Sequence, residues 1–474
     1  MENTSTQNNP KALYTLITVF FFWGFVAASN TVLIPLFKTN FGLSQFQSQL
    51  VDSAFYAAYF LGSLIYFFIS ISKGDPLNKI GYKKGLIYGL MISAVGTLGF
   101  IPAASTGSFE LMLGSLFVVG LGFALQQIVA NPYVIAIGDP SKGAHRVSFA
   151  GGINSFGTTI GPLLVSYAIF GNISGSTDTV LGLDAIPKPY LILGAAFVLV
   201  AIFFAFSKLP AITNEEHLEK NIGALKYPQL VLGMVAIFAY VGVEVAIQSN
   251  LPELMKQPEF LGLEANATVH FISLYWGSLM IGRWTQGVSV FNLKGTAKKI
   301  ATAIVPMIAY AVIVGVNYLK GSPIQELLDF FPFVILLIVA FFLAQEKPAK
   351  TLMLFSLMGL FMVVAGLCLS GKIALYAFIS CGLFCSIMWP CIFSLSIAGL
   401  GKYTNQGSAL LIMMILGGAI IPPSQGLLSD TIGIHLSYII PAFCFGYLAF
   451  YAWRVKNILK AQGIDYEAGV ETAH

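Results

Sequence analysis

Charged side chains are scarce in this sequence: Asp, Glu, Lys and Arg make up 10% of its 474 residues, against about 25% in an ordinary soluble domain. With 57% hydrophobic residues to hide, so few charges cannot cover a soluble globule, and lipid has to be part of the solvent. Cysteine is rare as well, and Cys368, Cys381, Cys385, Cys391 and Cys444 all fall inside apolar stretches. Their spacing fits neither a paired metal site nor a disulfide framework, which leaves packing as their role. His145 and His217 belong to polar loops and His270 to a helix start, with no spacing that would gather them around a metal.

Other absences exclude whole classes of function. The formal net charge is +4, yet no basic tract of the kind that binds nucleic acid occurs. No Gly-rich loop with a Lys-Ser/Thr pair is present to hold ATP, and Gly120-x-Gly122 neither follows a strand nor opens a helix, so no nucleotide cofactor is expected. A membrane enzyme would need a clustered nucleophile, metal or acid/base pair, and none is found. The alternation of outer-membrane strands is missing too.

What the sequence does contain is long apolar runs, each near the ~20 residues that cross a bilayer as a helix. Six occupy the first half, near 13–37, 46–72, 84–104, 108–138, 146–171 and 189–207. Eight follow, near 228–250, 268–289, 299–317, 329–345, 350–370, 372–397, 408–428 and 435–455. The expectation is an all-α integral membrane protein with 14 transmembrane helices. Residues 208–227 carry charges of both signs and no spanning face, so they should link an N-terminal lobe (1–207) to a C-terminal lobe (228–474). The first run is too long for a signal-peptide core and lacks a small-residue cleavage site, so it should remain as the first helix. With both termini cytoplasmic, 20 of the 25 basic residues lie inside and Lys38, Lys188, Lys256, Lys320 and Lys372 outside, the bias that sets topology in an inner (plasma) membrane.

The halves are weakly alike. Asn131-Pro132 is followed 25 residues after the proline by Gly157, and Trp389-Pro390 is followed after 27 by Gly417. Parallel repeats of this kind build two-lobed transporters.

Several short motifs are more specific. They are Phe21-Phe22-Trp23-Gly24 with Asn30, Asp52-Ser53-Ala54-Phe55-Tyr56 with Tyr59-Phe60, and Ile80-Gly81-Tyr82-Lys83-Lys84-Gly85. To these add Ala130-Asn131-Pro132-Tyr133, Asn154-Ser155-Phe156-Gly157, Ile281-Gly282-Arg283, Ile392-Phe393-Ser394-Leu395 and Gly426-Leu427-Leu428-Ser429-Asp430. In this order, along nearly the whole chain, the sequence resembles the fucose/galactose/glucose:proton symporter family of the major facilitator superfamily. The resemblance implies two six-helix lobes, a sugar substrate and coupling to a proton. Three departures stand out. The position after Asn30, where proton-driven members carry an acid, holds Thr31, and Gln127 stands where the fucose symporter has Glu. The pair near 299–345 is an insertion between what would be helices 8 and 9 of a twelve-helix protein, and two extra helices keep every later loop on its side.

Polar stripes mark a pathway. Gln45, Gln49, Asp52, Tyr56 and Tyr59 share one face of the second helix. Gln127 and Asn131 lie one turn apart, as do Asn154 and Thr158, while Tyr240, Glu244 and Gln248 share a face of the seventh helix. Amides donate to and accept from sugar hydroxyls, and the rings of Trp23 and Trp389 can stack on C–H faces. Trp23, Asn30, Gln49, Tyr56, Gln127, Asn131, Asn154, Gln248 and Trp389 are the candidate substrate contacts. Each amide could instead be an interhelical hydrogen bond, and each Trp a core filler.

Arg283 and Asp430 sit near helix ends, where they can snorkel or cap. Asp52 and Glu244 lie deeper, where an acid costs about 2.5–3.5 kcal/mol, and neither has a basic neighbour in sequence. They are the candidate coupling groups, carrying a proton or, at Asp52, holding sodium. The reading is a monomeric secondary transporter importing a neutral monosaccharide. Its rivals are a drug or lipid exporter of the same fold and an uncoupled sugar facilitator.

Overall fold

The computed structural model describes residues 10–41, 45–170, 187–210, 221–263, 268–291 and 293–464, with side chains except at 27–41, 45–53, 162, 163, 165, 166, 168–170, 187 and 189. Every regular element among them is helical. In chain order these are α1 (Pro10–Phe41), α2 (Gln45–Lys73), α3 (Pro76–Ile80), α4 (Tyr82–Leu98), α5 (Phe100–Thr106), α6 (Phe109–Ala136), α7 (Gly143–Phe170), α8 (Pro187–Phe206), α9 (Pro228–Lys256) and α10 (Val269–Gly287). Then follow α11 (Gly295–Leu319), α12 (Ile324–Leu328), α13 (Phe331–Ala344), α14 (Pro348–Cys368), α15 (Gly371–Cys385), α16 (Met388–Ile397), α17 (Thr404–Met413), α18 (Gly417–Ile432), α19 (Ile434–Ser437) and α20 (Ile439–Ala461).

Local chemistry sets many of these ends. Proline stands in the first turn of α3, α9, α13 and α14, where its missing N–H costs nothing. Gly107 closes α5 in the left-handed region at φ 61°, and the Ser108 hydroxyl then accepts from Leu111 N to open α6.

Ten segments among the described residues are long and apolar enough to cross a membrane, with shorter apolar stretches at Pro10–Val26 and Tyr190–Phe206. Several of the ten are two helices in line, as with α12 and α13 or α15 and α16. The long helix α10 is not among them; it carries His270, Arg283 and Gln286, and α7 is likewise polar, with His145, Arg146, Asn154 and Thr158. Such residues in a bilayer helix have to face protein or water, so both helices have polar faces to satisfy.

Contacts divide the chain into two compact units. The first is Met1–Asp139, Phe156–Lys226 and Leu400–Met413; the second is Pro140–Ser155, Tyr227–Gly399 and Met414–His474. In the first unit α4 packs along α6 and α8, and α17 lies on α2 and α6. Ser408 Oγ donates to the Ile128 carbonyl at 2.8 Å, and Tyr82 OH to Asn405 Oδ1 at 2.7 Å. Asp75 caps α3, accepting from Leu77 N at 2.8 Å and from Tyr66 OH; burial pushes its carboxyl above the ordinary value. In the second unit α9 packs on α16, α18 and α20, α14 on α15 and α20, and α10 between α11 and α15. Helix α13 stands against α11 and α14.

The two glycines of the weak repeat do the same job. A Cβ at Gly157 would strike the Phe21 carbonyl of α1, and one at Gly417 the Phe238 carbonyl of α9. Each therefore lets a later helix touch the backbone of the first helix of its own half. Close approach through small residues is how helices gain packing energy in lipid.

Candidate functional site

In the first unit the side chains of α1, α2 and α6 form a polar line. Trp23 Nε1 donates to Gln126 Oε1 at 2.7 Å, Gln126 Nε2 to Ser93 Oγ at 3.1 Å, and Ser93 Oγ to the Val119 carbonyl at 3.0 Å. Gln126 is fully buried and Trp23 is 5% exposed, so both indole N–H and amide are committed to protein. One residue further along α6, Gln127 is half-buried and donates to Tyr59 OH at 2.9 Å, while Asn131 Nδ2 donates back to the Gln127 carbonyl. Phe55 meets Tyr59 and Phe123 edge-on, and Tyr56 is half-buried beside them. Amide, phenol and ring are thus presented together, the set that recognises hydroxyls and C–H faces at once.

The second unit is built around Arg283 of α10. Its Nη1 donates to Ser155 Oγ of α7 at 2.9 Å, its Nη2 reaches Tyr240 OH at 3.3 Å and Glu244 Oε1 at 3.4 Å on α9, and its Nε donates to the Ser386 carbonyl at 3.2 Å. The Glu244 and Arg283 side chains are only 11% and 15% exposed. A guanidinium suits this position because its planar fork serves several acceptors at once. The Tyr275 hydroxyl donates to the Glu244 carbonyl at 2.7 Å and fixes that turn of α9. Trp389, half-buried, lies 6.3 Å from Tyr240 and stacks on Phe393 at 5.9 Å. Gln248 sits one turn beyond Glu244 and is half-exposed.

The geometry therefore joins Trp23 to Gln126 and Gln127 to Tyr59 in one unit, and Glu244 to Tyr240 and Arg283 in the other, near Trp389. Asn154 lies on α7 next to Ser155, half-buried. The side chains of Asn30, Gln49 and Asp52 lie outside the described residues, although the helices that carry them are described. Two members of these networks escape sequence reading. Arg283 is four residues from the end of α10 and reads as a snorkelling cation, whereas its guanidinium turns into the protein. Gln126 is masked by its neighbour Gln127, since only rotation about the helix axis says which of two adjacent amides is buried. No group of three or more His, Cys, Asp and Glu able to hold a metal occurs among the described residues.

The chain is similar to known proteins along most of its length. The family model described as Major Facilitator Superfamily matches residues 15–414. A glucose/galactose transporter of Brucella abortus biovar 1 (strain 9-941) is 36% identical over 455 residues, spanning 95% of this chain and 95% of that protein. The L-fucose-proton symporter of Escherichia coli (strain K12) is 28% identical over 460 residues, 92% of this chain and 91% of its own. The crystal structure of FucP in the outward conformation matches with a TM-score of 0.73 at 26% identity, covering 94% of this chain and 98% of that one.

Proposed function

The chain belongs to the Major Facilitator Superfamily, and from that membership we propose that it imports a neutral monosaccharide by alternating access, driven by a cation gradient. The observation that carries this reading is the 36% identity to a glucose/galactose transporter across 95% of both chains. The L-fucose-proton symporter relatives favour the proton as the coupling ion. Uptake of a labelled sugar panel into proteoliposomes, with imposed proton or sodium gradients, tests it. Accumulation of one hexose or deoxyhexose under one gradient is the expected result; binding of hydrophobic cations in place of any sugar would favour an exporter.

In this reading the protein is a monomer with lobes 1–207 and 228–474 joined by 208–227, both termini are cytoplasmic, and the membrane is the cell's inner membrane. Fourteen crossings include an extra pair formed by α11 and by α12 with α13. A reporter fused at Lys320 should then read as extracellular, and reporters at Lys294 and Lys347 as cytoplasmic. A cytoplasmic signal at Lys320 would return the count to twelve.

Substrate contacts are assigned to Trp23, Asn30, Gln49, Tyr56, Gln127, Asn131, Asn154, Gln248 and Trp389. The bond from Gln127 to Tyr59 supports one of them, since an amide held at one end is preorganised to meet a ligand. Gln127→Ala and Asn154→Ala should each weaken sugar binding by about 1–3 kcal/mol, the cost of an unpaired hydroxyl in a desolvated site. Calorimetry showing unchanged affinity in both variants would make these amides structural.

A further inference from the structure

Gln345 and Glu346, the turn between α13 and α14, are the only non-glycine residues with positive φ among the described residues, at 55° and 61°. Two successive left-handed residues with full side chains are unfavourable, and a passive connection would place Gly or Asn there. Something holds the turn in place. The Glu346 carboxylate accepts from Lys298 Nζ, in the first turn of α11, at 2.6 Å, and from the Ser289 hydroxyl just beyond α10. Gln345 Oε1 accepts from Lys350 Nζ at 2.9 Å. The Glu346 carbonyl meets His145 Nε2, in the first turn of α7, at 3.2 Å. Burial works to raise the Glu346 pKa, and the bonds from Lys298 and Ser289 outweigh it, leaving the carboxyl below its ordinary value.

His145 also begins a stripe on α7. Counting onward by three, four and three residues gives Ser148, Gly152 and Ser155, one face of a helix. Each meets α10: Ser148 Oγ donates to the Arg283 carbonyl at 3.4 Å, the Gly152 carbonyl accepts from Trp284 Nε1 at 3.0 Å, and Ser155 Oγ accepts from Arg283. A Cβ at Gly152 would come within 2.6 Å of Trp284 Cδ1, so this docking has one register.

We infer that Glu346 is a positioning residue for transport: the strained turn delivered by the additional helices clips the first turn of α7, and so sets how α7 presents Ser155 to Arg283. The ten helical steps from His145 to Ser155 span about 15 Å, a rigid arm from clip to site. The assay of this role rests on the sugar-transport reading; the contact itself does not.

The test uses the full-length protein with Glu346→Gln, the charge exchange Lys298→Glu/Glu346→Lys, and Gln345→Gly. Hydrogen exchange of amides 143–150 in detergent should accelerate about ten-fold in Glu346→Gln, the scale of one charge-assisted hydrogen bond, with α9 unchanged. Uptake should lose about five-fold in Vmax, with KM held within about two-fold. The charge exchange should recover at least about half of both effects. Gln345→Gly relieves the backbone and keeps every bond of Glu346, giving up only the exposed one from Lys350 to Gln345, so exchange of the same amides should slow. Parental exchange in Glu346→Gln, uniform acceleration of every helix, a KM change as large as the Vmax change, or no recovery on charge exchange would overturn the proposal. If the parent carries no sugar in the panel, the functional reading fails while the exchange results still decide the clip.

Discussion

Uptake by an Arg283→Ala variant is expected to fall below detection, with a loss of about 3–5 kcal/mol in stability, because the substitution strands the Glu244 carboxylate in a buried site. The same change removes the donors to Ser155 and to the Ser386 carbonyl, so α7, α9 and the link between α15 and α16 lose their common partner on α10. Thermal unfolding in detergent reads the stability. The double substitution Arg283→Ala/Glu244→Gln should regain most of it, since no unpaired charge remains, yet stay inactive. An Arg283→Ala protein that melts with the parent and transports within about two-fold of it would show that the Glu244 pair carries neither stability nor function.

Asp52→Asn is expected to abolish accumulation of sugar against a gradient while sparing exchange of sugar between equal pools. Coupling requires a group whose charge changes with ion occupancy. The positions that match the usual carriers hold Thr31 and Gln127, which cannot serve, and Asp52 lies one turn before Tyr56 on the stripe of α2 that ends at Tyr59. Exchange needs the sugar site but not the ion, so it should survive. Glu244→Gln is the comparison, because Glu244 already has Arg283 as counter-charge and could exchange that partner for a proton. Should Asp52→Asn concentrate sugar as well as the parent under the same gradient, Glu244 becomes the coupling group, or the protein is a facilitator. The sodium alternative at Asp52 predicts that a sodium gradient, and not a proton gradient, drives the parent.

The polar stripes show how far sequence reaches into the site. Tyr240 and Glu244 were legible because four residues make a helical turn, and the structure indeed sets both against Arg283. The partner itself was not legible, since a cation near a helix end has two rotamer families, one toward lipid headgroups and one toward protein. Similarly, Trp23 was visible as a ring able to stack on a sugar or fill the core, but not its bond to Gln126. Hydropathy also fails in an instructive place: α10 falls outside the clearly apolar segments because it carries His270, Arg283 and Gln286.

The sequence by itself determined that this chain lives in a membrane, that it is helical, roughly where each helix lies, and which superfamily it joins. The first three follow from composition and from periodicities of a few residues, which are local and additive; the superfamily follows from the resemblance of motifs such as Ile281-Gly282-Arg283, met in order along the chain. The tertiary structure alone decided that Arg283 pairs with Glu244 across 39 residues and with Ser155 across 128, and that Glu346 reaches His145 across 201. It also decided that Gly157 and Gly417 each touch the backbone of the first helix in their half. Such pairings depend on how each helix is rotated about its axis and which neighbour it meets, and in a bilayer that choice is made by close packing and by the need of every buried polar group for a partner.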